Sequence, residues 1–203
     1  MSPRPDVSEE RKNQIMEAAQ KIFSKLGFHK ARMSDIAQEA DLSKGSLYWY
    51  FKSKNEIIIN VLDNIFEAEL KSLQPLIDAD SLATEKLHTY TDRVINDMKS
   101  MLKWMPLAYD FVALAFRQET VQIAIRKYYN AHMNTLTPII QQGLDSGEFT
   151  APNAEDAAIA LGAIMEGVAL LWVYDSESID IEKHIRSSVQ IMLNGLKTPL
   201  KAE

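Results

Sequence analysis

Cysteine is absent from the 203 residues, which removes disulfides, thiolate metal sites and a Cys nucleophile from consideration. Strand signals are almost missing too, and apolar residues recur at helical spacing nearly everywhere. The opening MSPRPDVSEERK has no apolar stretch of the kind a secretory signal carries, so a cytoplasmic location is expected. No GxxxxGK[ST], GxGxxG or GxSxG occurs. His29, His88, His132 and His184 show neither HxxxH nor His–carboxylate spacing. Catalytic residues, a metal site and a cofactor are therefore not expected, and the chain does not read as an enzyme.

What is present is an ordinary soluble composition, 46% hydrophobic and 25% charged, on a chain long enough for a sizeable core. The net charge of −6 is unevenly spread. Residues 1–54 hold ten Lys and Arg against seven Asp and Glu, while the remainder holds twelve against twenty-one. A mildly basic head on an acidic body suits a protein of which one end meets an anionic partner.

The periodicity predicts an all-α fold of about nine helices. Ile15, Ala19, Ile22, Phe23 and Leu26 form a first stripe, with Gly27 where a C-cap belongs. A short segment carries Ile36, Ala37 and Ala40, and a third starts after Ser43, a plausible N-cap. Ser53 and Glu56 have capping-box spacing ahead of a long helix to about Pro75. Further helices are expected over roughly 82–103, 106–117, 119–146, 153–174 and 178–196, with Pro138 kinking or splitting the third of these.

The stretch LSKGSLYWYFKSK, residues 42–54, sets four aromatics in succession. At 100° per residue, Leu47 and Phe51 share one side of a short helix and Trp49 points almost directly away. Gly45 and Ser46 lie on Trp49's side. The connection over residues 40–43 has the length of a helix-turn-helix turn. In that motif the start of the second helix enters the major groove, where a small residue lets the backbone approach base edges. Lys and Tyr at the flanks suit phosphate contacts. The same four rings would also serve as a packed corner of a helical bundle.

Arg11–Glu56 resembles the DNA-binding domain of the TetR family of transcriptional regulators. The resemblance rests on Arg11, Ile15, Ala18, Ala19, Phe23, Gly27, Phe28, Ile36, Ala37 and Ala40. It continues through Leu42-Ser43-Lys44-Gly45-Ser46-Leu47-Tyr48, Tyr50-Phe51-Lys52-Ser53-Lys54 and Glu56. Asp41 stands where the family usually has Gly, and tolerates a left-handed backbone better than most residues. Met33 stands where Thr or Ser is frequent, leaving any phosphate contact there to Ser34 or Arg32. The resemblance implies that Gly45, Ser46, Tyr48 and Trp49 meet base edges or sugars, and that Ser43, Lys44, Tyr50 and Lys54 hold phosphates. Arg4 and the tail before it would reach a minor groove or stay disordered. The implied partner is double-stranded DNA with a near-palindromic operator, read by a homodimer.

Residues 1–54 are thus expected to form the DNA-binding domain, and residues 55–203 a ligand-binding and dimerisation domain. Residues 157–174 contain one charge, Glu166, in eighteen positions. Acidic flanks and interspersed glycines argue against a membrane span. A helix buried on every side fits better. The last helix has the stripe Ile185, Val189, Met192, Leu196, and in the TetR family the last two helices form the dimer interface. Met101, Trp104, Met105, Tyr109, Phe111, Tyr128, Met165 and Trp172 suit a pocket for an apolar or amphipathic effector, or simply fill the core. Glu166, a carboxylate among apolar residues, needs a partner: a cationic ligand, or Arg or His of a neighbouring helix. The composite expectation is a ligand-responsive repressor. The alternative is a helical small-molecule-binding or interaction module that does not touch DNA.

Overall fold

A computed structural model describes residues 7–102 and 105–196. Among them run nine α-helices and no strand: α1 Val7–Lys30, α2 Met33–Glu39, α3 Lys44–Tyr50, α4 Lys54–Asp78, α5 Ala83–Met101, α6 Met105–Ala115, α7 Glu119–Asp145, α8 Ala154–Tyr174 and α9 Ile181–Leu196. Arg4 and Trp104 lie outside the described residues. The chain divides into two compact units, residues 1–67 with 103–126 and residues 68–102 with 127–203. The first unit takes in α6 and the start of α7 as well as the helices expected of the head.

In the first unit the core comprises Ile15, Ala19 and Phe23 of α1, Ile36 and Ala37 of α2, Leu47 of α3 with Phe51 beyond its end, and Ile57, Ile58 and Val61 of α4. Phe111 and Leu114 of α6 and Val121 of α7 join them. Gly27 has φ 74, a left-handed conformation that breaks α1 short of its last turn. The turn carries Phe28 into the core, 5.4 Å from the Phe23 ring and 5.8 Å from Phe111. Leu26, expected inside, is exposed instead. Asp41, at φ 50, takes the left-handed backbone expected of it.

Caps stand where short polar residues predict them. Ser43 accepts from the Ser46 N–H at 3.0 Å, and Ser53 accepts from the Glu56 N–H. The Glu56 carboxylate reaches back to the N–H of Lys52 at 2.6 Å, one residue earlier than a standard capping box would have it. Asp35 does the same for Arg32 ahead of α2, where Met33 has no polar atom to offer. α4 runs on through Pro75, and Pro138 does not split α7.

The second unit packs Leu73 and Leu76 of α4, Leu87, Val94 and Ile95 of α5, Leu136, Ile139 and Ile140 of α7, Leu161, Met165 and Val168 of α8, and Ile185, Val189 and Leu193 of α9. A Cβ on Gly143 would stand 2.1 Å from the Phe149 ring, so this helix position has to be glycine for Phe149 to be buried. Leu82, at the N-cap of α5, offers no side-chain acceptor. Glu148, 65 residues beyond Ala83, supplies it: its carboxylate accepts from the N–H groups of Ala83 and Thr84 at 3.1 Å each. Desolvation alone would raise the Glu148 pKa, but the bonds from Thr84 and Ala83 outweigh it and hold the carboxyl below its ordinary value.

Candidate nucleic-acid interface

α3 presents two unlike sides. Leu47 and Phe51 are fully buried, as their 100° spacing requires. Trp49 is 69% exposed and Tyr48 39%. Tyr50 is half-buried against the core, its ring edge-on to Trp49 at 4.7 Å between centroids. The row of four aromatics therefore divides into an inner pair of core contacts, Phe51 and part of Tyr50, and an outer pair, Tyr48 and Trp49.

Gly45 is the most telling residue of the outer side. A Cβ there would meet nothing closer than the Ser43 Oγ at 3.8 Å. Nothing inside the protein calls for glycine, and alanine would favour the helix by up to about 1 kcal/mol. The missing side chain leaves the backbone open to something outside. Beside it the Ser43 and Ser46 hydroxyls are 2.8 Å apart and exposed, and Lys44 is exposed with its Nζ 6.0 Å above the Tyr48 ring. Ser34 is also exposed at the start of α2. Lys52 donates to the Tyr48 and Trp49 carbonyls at 2.9 and 3.4 Å, closing the end of α3.

Lys54 departs from expectation. Its ammonium donates to the carbonyls of Phe28, His29 and Ala31 and lies 4.4 Å from the Phe28 ring centroid. Burial also lowers its pKa from the ordinary lysine value. Instead of a free phosphate-holding cation, Lys54 is a clasp on the end of α1, because the left-handed Gly27 turns those carbonyls towards the start of α4.

The expected effector residues do not gather in one place. Phe111 is core of the first unit, against Phe28, which corrects its assignment to a pocket. Met105 is buried and Tyr109 half-buried, both on α6. In the second unit Met165 is core, with Trp172 and Met101 partly covered. Tyr128 sets its ring 4.4 Å from His132. Glu166 faces outwards on α8, a correction to its expected interior place; although it reaches solvent, desolvation among apolar neighbours raises its pKa. A surface groove of about 620 Å³ is lined by residues of α7, among them Tyr129, Met133 and Thr137, with Glu155 of α8.

The α9 stripe needs correction at Ile185 and Val189. Ile185 and Val189 are buried in their own unit's core, and Met192 and Leu196 pack against it. The stripe's buried residues pack on the helix's own unit, while Met192 and Leu196 stay half-exposed at its rim. The exposed apolar side belongs to α8, at Ile159, Leu171, Val173 and Tyr174, with Ile191 on α9. Among the described residues α8 is the one helix long and apolar enough to cross a membrane, and its Ala157, Leu161, Met165 and Val168 side faces the core.

Sequence reasoning overlooked a buried polar group in the second unit. The Tyr90 hydroxyl lies 2.6 Å from His132 Nδ1. His132 stands in a long apolar-periodic run; its burial there was the available signal, and histidine spacing alone hid it.

Residues 15–61 match the family model for bacterial regulatory proteins of the tetR family, and residues 83–194 match that for the C-terminal domain of BetI-type transcriptional repressors. Over its whole length the chain is 25% identical to YfiR, an uncharacterised HTH-type transcriptional regulator of Bacillus subtilis, covering 99% of that protein. Its fold superposes on a TetR transcription regulator from Haloarcula marismortui with a TM-score of 0.83 at 17% identity, covering 93% of this chain and 98% of that one. It superposes on the regulator FadR of Bacillus subtilis, solved with stearoyl-CoA, with a TM-score of 0.76 at 21% identity, covering 91% and 98%. The chain belongs to the TetR family of bacterial transcriptional regulators, a DNA-binding protein with a C-terminal domain that matches the BetI repressor type.

Proposed function

We propose that two copies of this chain form a repressor on a near-palindromic operator, and that an amphipathic small molecule in the second unit releases it. The observation that carries the DNA half is the outer side of α3, where exposed Trp49 and Tyr48 flank a glycine with open space above it. The helix start enters the major groove there, Gly45 and Ser46 against base edges and Trp49 against a thymine methyl or sugar. Ser43, Lys44 and Ser34 take phosphates.

Pairing of copies uses the exposed side of α8 with Ile191 of α9, which an apolar helix otherwise leaves to water. Two heads then address half-sites about one DNA turn apart. The effector acts by binding better to a conformer whose heads are wrongly spaced, and shifts the equilibrium only by that difference in affinity. The setting is cytoplasmic, where operator and small molecule meet.

Selection from a random duplex pool followed by anisotropy titration of the winning sequence tests this. A pseudo-palindrome bound with an affinity that falls steeply with salt supports the reading. Trp49→Ala should then lose at least tenfold in affinity with the fold and dimer intact. Failure to enrich any sequence would leave the helical interaction module as the better description.

A further inference from the structure

We infer that α5 carries the head-group subsite of the effector: Arg93, beside the Tyr90–His132 pair, receives the carboxylate of an anionic amphiphile. This rests on the reading above that an amphipathic molecule binds the second unit, and adds the chemistry of its polar end. Lys86, Tyr90, Arg93 and Asp97 follow one another at intervals of four, three and four residues, and so run along one side of α5. Three of them, Lys86, Tyr90 and Asp97, are committed within the protein. Lys86 Nζ donates to the Ile77 carbonyl at 2.9 Å, and the Tyr90 hydroxyl pairs with His132 Nδ1.

Arg93 is different. Its Nη1 is screened from water and has no hydrogen-bond partner, and no ion pair among the described residues takes up its guanidinium. A guanidinium cannot shed its charge on burial as an ammonium or a carboxyl can. A buried N–H of a permanent cation without an acceptor is costly, and the cost disappears when an anionic acceptor arrives. A carboxylate matches the fork of two parallel N–H groups. Tyr90 stands one turn away on the same side of the helix, with His132 and the Tyr128 ring behind it. Apart from Thr91 and Thr135, the rest of this unit's buried core is apolar, the setting in which a few converging polar groups orient an apolar ligand. Glu166, the other charged candidate, faces outwards and so does not call for a cationic ligand inside.

Calorimetric titration of the full-length dimer with three probes of equal tail tests the assignment: dodecanoate, dodecanol and dodecyltrimethylammonium. Wild type should bind dodecanoate at least tenfold more tightly than either other probe. Arg93→Met should bring dodecanoate down to the level of dodecanol and leave dodecanol unchanged. It should not lower the melting temperature, because the variant removes a half-exposed guanidinium whose one screened N–H lacks a partner. Arg93→Lys, which keeps the charge but not the fork, should retain part of the preference. Equal binding of all three probes by wild type, or undiminished dodecanoate binding by Arg93→Met, overturns the Arg93 subsite while leaving an effector pocket intact. A lowered melting temperature in Arg93→Met with unchanged head-group preference identifies Arg93 as structural and also overturns it. Binding of none of the probes overturns both the subsite and the amphipathic effector on which it rests.

Discussion

The Lys54 ammonium at the start of α4 binds the Phe28 carbonyl at the end of α1, 26 residues earlier, and adds the carbonyls of His29 and Ala31. It closes a helix end whose carbonyls would otherwise have only water, and lies over the Phe28 ring as it does so. The residue thus joins the two ends of the DNA-binding helices into one block.

Lys54→Met tests this role against a phosphate contact. Loss of the clasp should cost about 1–2 kcal/mol of stability, the range for a partly exposed charge-assisted network. Operator affinity should fall through misplacement of α3, with the dependence of log K on log salt unchanged. A slope reduced by about one would mean that Lys54 neutralises a phosphate after all.

The two sides of the C-terminal helices predict opposite phenotypes. Val189→Asp puts a charge in a closed core and should cost more than about 3 kcal/mol, so the protein unfolds before any question of assembly arises. Ile191→Asp and Ile159→Asp lie on the exposed side and should leave the helix content and melting curve of the monomer near normal while shifting the sizing-column profile from dimer to monomer. A dimer that survives both exposed changes would place the interface elsewhere.

Much of this fold was legible in the sequence because its signals are local. Gly27, Asp41, Ser43 and Ser53 each mark a turn or cap by their own backbone or side-chain chemistry, and the 100° rule separates Leu47 from Trp49 without any tertiary information. The misassigned residues are those decided by long-range packing. An apolar stripe at Ile185 and Val189 tells that α9 has a partner but not whether the partner is its own α8 or another copy. Phe111 and Met165 look equally suited to a pocket or a core, since both demand apolar bulk. Lys54 looks like a surface cation until the turn at Gly27 brings three carbonyls to it. Glu148 and Ala83 are 65 residues apart and leave no periodic trace of their contact.

That last contact gives α5 a pH-dependent cap. The Glu148 pKa is lowered in the fold, so its contribution is present above the ordinary carboxylate value of about 4.3 and is lost as pH falls through the lower folded value. Glu148→Gln should lower stability by about 1 kcal/mol at neutral pH, a typical cap loss. Denaturant melts of variant and wild type should converge as the medium is acidified below pH 4. A constant gap across that range would mean that the carboxylate charge is not what caps the helix.

The glycine facing Phe149 is needed for packing alone. Gly143→Ala forces a Cβ into the ring and should destabilise by about 2–3 kcal/mol, read as a lowered urea midpoint. DNA affinity per folded molecule should not change, since Gly143 and α3 belong to different units.

Gly45→Ala is the opposite case and bears most directly on the claim that the outer side of α3 reads DNA. With open space at the Cβ, the substitution should leave the melting temperature unchanged or raised, by up to about 1 kcal/mol of helix propensity. Anisotropy titration on the selected operator should show at least a tenfold loss of affinity, because a methyl now stands between the backbone and the bases. An alanine variant that is as stable as wild type and binds the operator equally well would contradict the account.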